Sequence, residues 1–337
     1  MAPPTGPPAA GIACVRGESG IRSLVAVISI SETSTQRLRA LAAATAAALL
    51  LAGCGTAEDD APTDTDVSAS PSAISLPVTP VTIELVDPGA EPRSSLTYEP
   101  AGEQSVVLTT SSTVSQQIDD QAAQDFSTPE ITLPLTAQAP ESDAGGEIRL
   151  RIGTPMSADQ RLTEALAVAE GSEAGLTVTD TGAVTALSIS PNADAEDAAR
   201  AAIEQALNQA VYRSISFPSE DVGVGAVWTT EQQVVSGLTL NQTTTATLRE
   251  RDGDRLTIDL RIDQTPESAT LELPDDAGQL AIDTYTMSGT GTLEFDLGRS
   301  LPVSGEVTVA GEQQYSDPEG TTVLRQDISD TLRWSTP

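Results

Sequence analysis

The chain has 337 residues, sets 17 arginines against 49 acidic residues with no lysine and no histidine, and carries a net charge of −32. Without imidazole there is no Ser-His or Cys-His nucleophile and no histidine metal site; without lysine there is no Schiff base and no Ser-Lys dyad. The acidic excess repels nucleic acid and anionic lipid headgroups, so no nucleic-acid partner is expected.

Taken in chain order, the sequence begins with MAPPTGPPAAG, a Pro- and Gly-rich opening with no apolar period. Arg37 and Arg39 then precede an apolar run over 38–51 that is too short to span a membrane comfortably. The run stops at Leu51-Ala52-Gly53-Cys54, and Cys54 and Cys14 are the only cysteines. Residues 54–80 combine Cys54 with a Thr-, Ser-, Asp- and Pro-rich stretch that reads as a disordered acidic tether, with a root-mean-square reach of roughly 28 Å.

From residue 81 the pattern alternates apolar and polar residues, the period of a half-buried strand. Strands are expected over 81–86, 105–118, 130–138 and 146–153, with Pro134 at an edge or a bulge. A helix follows: Ser157 and Gln160 make a capping box, Leu162, Ala165, Leu166 and Ala169 form its face, and Gly171 is its C-cap. A hairpin is expected over 175–190 around Asp180-Thr181-Gly182. The second helix, over 193–214, packs through Ala199, Ala202, Ile203, Ala206, Leu207 and Ala210. Asp194, Glu196 and Asp197 suit its N-terminal dipole, and Arg213 suits the other end. Strands resume over 222–235, 238–250 and 254–263, with Asp252-Gly253 as a hairpin turn, and continue nearly to the end.

Strands, helices and strands again predict an α+β fold, mostly antiparallel sheet, with two helices between its β-rich parts. Those parts form either two β-rich lobes, 81–155 and 221–337, joined by 156–220, or one curved sheet. The organisation is therefore an N-terminal extension and signal over 1–53, a tether over 54–80 and a folded domain over 81–337.

Gly223-Val224-Gly225 and Gly289-Thr290-Gly291 are each followed by strand pattern, not helix, so they start or kink strands and do not form a dinucleotide loop. Asp252-Gly253-Asp254 lacks the remaining ligands of a calcium loop. Trp228 and Trp334 sit in alternating strands and are expected to pack in the core. No catalytic, cofactor-binding or metal-binding set emerges, and an enzyme is not expected.

The stretch Leu51-Ala52-Gly53-Cys54, behind Arg37, Arg39 and the apolar run, resembles a bacterial lipobox. The resemblance implies that a signal peptidase recognises Leu51, Ala52 and Gly53 and cuts after Gly53. Cys54 then carries a diacylglycerol thioether as the new N-terminus, and the protein stands lipid-anchored on the extracytoplasmic face of the cell membrane. Each buried acyl methylene would add about 0.8 kcal/mol of anchoring.

With GLTVTDTGAV, the Ala-rich helix, VGVGAVW and SGTGTLEFDL, the chain over 81–334 also resembles a group of actinobacterial lipoproteins of unknown function. The likeness implies an envelope location and transfers no functional residue. The expected role is a non-enzymatic binding module for a hydrophobic envelope ligand, held at the membrane through Cys54. The alternative is a cell-surface scaffold that engages a cell-envelope protein.

Overall fold

The computed structural model describes residues 74–139, 146–273 and 278–337. Leu51, Ala52, Gly53 and Cys54 lie outside the described residues, as does all of 1–73. Within them the fold is mostly antiparallel β-sheet with two helices.

The chain enters as β1 (Ile74–Pro77), inside the stretch that reads as tether, and continues as β2 (Thr82–Asp87). Next come β3 (Glu103–Ile118), the short β4 (Gln124–Asp125), β5 (Thr128–Gln138), β6 (Gly146–Ile152) and the short β7 (Met156–Ser157). Helix α1 (Gln160–Ala167), β8 (Glu173–Val178), β9 (Val184–Ser190) and helix α2 (Asp197–Tyr212) follow. The last part holds β10 (Val227–Ser236), β11 (Leu238–Asp252), β12 (Arg255–Pro266), β13 (Thr270–Glu272), β14 (Gln279–Tyr285), β15 (Ser288–Asp296), β16 (Ser304–Ser316) and β17 (Val323–Ser335).

The strands close into a barrel. Antiparallel pairing runs β9–β8–β6–β5–β3–β17–β16–β15–β12–β11–β10. The seam between β9 and β10 is bridged by the N-terminal segment: β1 pairs with β9, placing Leu76 opposite Leu187, and β2 pairs with β10, placing Leu85 opposite Trp228. Between them Val78 N–H donates to Thr185 O at 3.1 Å, Gln232 Nε2 donates to Thr79 O at 2.9 Å, and the Thr79 hydroxyl donates to Gln233 O. One continuous strap therefore zips the sheet shut, and closure satisfies two rows of backbone groups that would otherwise be sheet edges.

Of the two forms the sequence leaves open, one curved sheet is what forms. Strand β3 pairs with β17 from Val107–Ser335 to Ile118–Leu324, so the early and late β regions share one ladder. Pro134 lies in the interior strand β5, opposite Val107 of β3, at the gap where β5 passes from β6 to β7. At that gap Gly153 N–H donates to Pro134 O at 2.8 Å, so the missing proline N–H falls where no ladder bond is needed. The alternating stretch over 279–296 is two strands. Both β14 and β15 lie along β16, one against each half of it. Gly291 sits at a tight crossing there: a Cβ would stand 2.8 Å from Val307 Cα.

The capping of α1 differs from expectation. Asp159, not Ser157, is the N-cap and accepts from Leu162 N at 2.9 Å; Ser157 belongs to β7. The helix ends at Val168, and Gly171, at φ +81°, lies in the connection to β8. Helix α2 starts at Glu196 without a side-chain cap. The turns at Gly182 (φ +75°) and Gly253 (φ +61°) fall where the hairpins were expected.

Helix α2 lies in the barrel lumen. Its Leu207 and Val211 face Leu150 of β6 and Leu176 of β8 across an internal cavity, while beyond its last turn Arg213 reaches Asp330 of β17. The carbonyl of Tyr212 accepts from Gln242 Nε2 of β11 at 2.8 Å. Past α2 the chain closes one end of the barrel. Phe217 meets Phe295 edge-on at 5.6 Å and Tyr98 at 6.1 Å, and Tyr98 Oη donates to Ser300 O at 2.9 Å. At this end a side chain on Gly223 would overlap the carbonyl of Ala90, which is why only glycine fits there. Among the described residues no helix is long and apolar enough to cross a membrane.

Candidate functional site

The inward row of each long strand changes chemistry along its length. On β3 it reads Gln104, Val106, Leu108, then Thr110, Ser112, Val114 and Gln116; on β17 it reads Trp334, Leu332, then Asp330, Ile328, Gln326 and Leu324. On β11 Leu248 and Ala246 give way to Thr244 and Gln242, and on β12 Ile258, Leu260 and Ile262 give way to Gln264. The register aligns these changes across neighbours: Leu332 pairs with Thr110, Asp330 with Ser112, and Gln326 with Gln116. The lumen lining is therefore mainly apolar toward the end closed by Phe217 and Tyr98, and toward the other it mixes polar side chains with apolar ones such as Leu240, Leu324 and Ile328.

The polar residues form bonded pairs. Gln326 Nε2 donates to Gln116 Oε1 at 2.9 Å, and Gln264 Nε2 donates to Gln242 Oε1 at 2.8 Å. Tyr315 Oη donates to Gln313 Oε1 at 2.5 Å. Burial pushes the Tyr315 phenol up to about 12 and pushes Tyr285 up as well, the latter helped by Tyr315 and by Asp330, so both hydroxyls keep their protons.

Arg213 stands at the junction of the two zones. Its side chain is only 8% exposed, and its Nη2 lies 3.7 Å from Oδ2 of Asp330, which is 25% exposed. Desolvation pushes the guanidinium pKa down, and the Asp330 charge opposes that push. Arg213 is the C-cap of α2, at the helix end where the sequence expects it, and there it is also a buried cation with its own counter-charge. Its Nη1 has no hydrogen-bond partner among the described residues.

On the apolar side, between α2 and the β6–β8 wall, lies a cavity of about 50 Å³ lined by Leu150, Leu176, Val178, Leu207, Val211 and Trp334. It is several times smaller than the 300 Å³ or so of a typical ligand pocket. Trp334 borders this cavity; Trp228 is fully buried and donates from Nε1 to Ser216 O at 2.9 Å.

Among the described residues, no group of three or more His, Cys, Asp or Glu side chains could hold a metal ion. Of the residues expected to carry function, Cys54, Leu51, Ala52 and Gly53 lie outside the described residues. The grouping of Arg213, Asp330, Tyr285 and Tyr315 is not evident from any single stretch of the sequence. A signal did exist. In the phase of Leu324, Ile328, Leu332 and Trp334 on β17 stand Gln326 and Asp330, and polar residues repeated in an apolar phase mark an interior that is not simply a core. No family model and no curated protein matches the chain.

Proposed function

We propose that this protein is a lipid-anchored extracytoplasmic lipoprotein, of the kind its lipobox resembles, whose barrel binds a hydrophobic envelope molecule without acting on it chemically. The observation that carries the reading is the apolar cavity inside a closed barrel, between α2 and the sheet, with a polar zone beyond it. As it stands the cavity is too small for an acyl chain, so binding requires α2 to move away from the β6–β8 wall. The wall-facing side of α2 suits such a movement: Ala199, Ala206 and Ala210 interlock less with a sheet than larger side chains would. A scaffold that recruits partners by strand addition would need open sheet edges, and the strap covers those of β9 and β10.

The full chain carrying Cys54→Ser, expressed in its native host, tests the reading free of anchor lipid. Organic extraction is expected to release an apolar molecule in stoichiometric amount. Val178→Trp, which fills the cavity, is expected to abolish that yield while the protein stays folded by circular dichroism. No extractable molecule, together with no uptake of an added acyl-chain probe, would sink the proposal. The anchor is tested separately: wild-type protein should partition with membranes and Cys54→Ser should not.

A further inference from the structure

Three glutamines stand side by side on the inner face of β10, β11 and β12. Gln232 is directly opposite Gln242, and Gln242 is directly opposite Gln264, so all three share a face. Their bonds lead to two other elements. Gln232 Nε2 reaches the strap and donates to Thr79 O at 2.9 Å. Gln242 Nε2 reaches the last residue of α2 and donates to Tyr212 O at 2.8 Å. Gln264 Nε2 donates to Gln242 Oε1 at 2.8 Å and fixes which way that amide points. The Tyr212 side chain completes the circuit through a hydrogen bond with the Thr79 side chain. Strap, glutamine row and α2 thus meet at one level of the barrel.

Both segments that meet here have little else to hold them. Strand β1 is four residues long and ends at Pro77, which has no N–H to donate. Helix α2 starts without a side-chain cap, and its buried Arg200 Nε and Gln209 Oε1 find no partner among the described residues. Its polar ties are at its end: Tyr212 O to Gln242, and Arg213 to Asp330. Val211, the residue before Tyr212, borders the apolar cavity.

We propose that Gln232, Gln242 and Gln264 form a latch that couples the N-terminal strap to α2, so that release of the strap loosens the last turn of α2 beside the cavity. The inference deepens the reading above, in which α2 moves to admit a ligand, and places control of that movement on the segment that leads back to Cys54. When Thr79 leaves, the Gln232 amide loses its acceptor. The amide directly across the strand pair is that of Gln242, about 4.5–5.5 Å away at Cβ. Re-pairing with it draws Gln242 off Tyr212 O, and the Tyr212 hydroxyl has lost Thr79 as well. Gln242 is only 5% exposed, so water does not readily replace the bonds it gives up. The coupling is reciprocal: loosening α2 loosens the strap.

Hydrogen exchange of the full chain carrying Cys54→Ser, with no ligand added, tests the latch. Gln232→Leu removes the bond to Thr79 O and, among the described residues, no bond to α2. Exchange is nevertheless expected to rise about two- to tenfold in the last turn of α2 as well as in the strap, the range for one hydrogen bond. Strands β15 and β16 are expected to stay unchanged. Gln242→Leu is expected to loosen the strap together with α2; where it does not fold, Tyr212→Phe, which removes only the phenol hydroxyl, takes its place. Faster exchange in one segment without the other, in either variant, overturns the latch. So does a rise that β15 and β16 share, or no change at all. Because no ligand enters the measurement, a latch that fails leaves the apolar-ligand reading standing, and the absence of any extractable molecule leaves the latch standing.

Discussion

The two zones of the lumen are built on the same strands and yet carry different chemistry. Toward the end closed by Tyr98, Phe217 and Phe295, the inward rows are mainly Leu, Ile, Val and Trp, packed with no exposed face. Toward the other end, the same rows interleave Thr, Ser, Gln, Asp and Tyr with Val114, Leu240, Leu324 and Ile328, and several of the polar side chains are paired by hydrogen bonds. The first zone stabilises the barrel through removal of apolar surface from water. The second contributes little net energy per bond, because each bond replaces one to water, yet it sets where polar groups point. Apolar packing and side-chain hydrogen bonding thereby predominate at different levels of the barrel axis, with the Arg213–Asp330 pair between them.

The comparison breaks if the closed end is not the stabilising half. Trp228→Ala removes a fully buried indole and its bond to Ser216, and is expected to cost about 3–5 kcal/mol in denaturant unfolding. A cost below about 1 kcal/mol would refute the division. At the boundary, Asp330→Asn leaves the Arg213 guanidinium buried without its counter-charge and should cost about 3 kcal/mol. The double variant Arg213→Met with Asp330→Asn should cost less than Asp330→Asn alone, which a double-mutant cycle reads directly.

Neighbouring positions on one strand sharpen the contrast. Leu332→Ala at the apolar level should cost about 2–5 kcal/mol, and Gln326→Ala at the polar level only about 0.5–1.5 kcal/mol. Similar losses at both would erase the distinction. Alkaline titration gives the smallest effect. Burial raises the phenols of Tyr98, Tyr212, Tyr285 and Tyr315 above the ordinary value of 10.0. The folded state therefore holds these protons longer than the unfolded chain does, so stability is fully present below pH 10 and falls as pH rises past it. Phenolate absorbance should show Tyr315 of the polar zone, at about 12, ionising before Tyr98 of the closed end.

Much of the fold was legible because strand alternation and turn chemistry are local. The hairpins at Gly182 and Gly253 and the strands β3, β6, β11 and β12 follow from alternation and from turn residues that tolerate positive φ. The cap of α1 was misplaced because Ser157 and Asp159 are both competent caps, and pairing of Met156–Ser157 with β5 leaves only Asp159 for the role. Strand β1 was missed because Ile74–Pro77 lies in Ser- and Pro-rich sequence and gains its order only from β9. The buried ion pair was illegible for a related reason: Arg213, Tyr285 and Asp330 come from the end of α2, β14 and β17, and no local pattern records their meeting.

Alone, the sequence determined the β-rich class with two helices and the face each strand turns inward, because side-chain period and turn chemistry act over a few residues. Its Leu51-Ala52-Gly53-Cys54 stretch also carries the proposed address. Only the tertiary structure decided that the sheet closes through the strap of β1 and β2, that α2 enters the lumen, and that Arg213 is buried against Asp330. Those outcomes depend on pairing partners far apart in the chain, where long-range register and the cost of an uncompensated buried charge determine the arrangement.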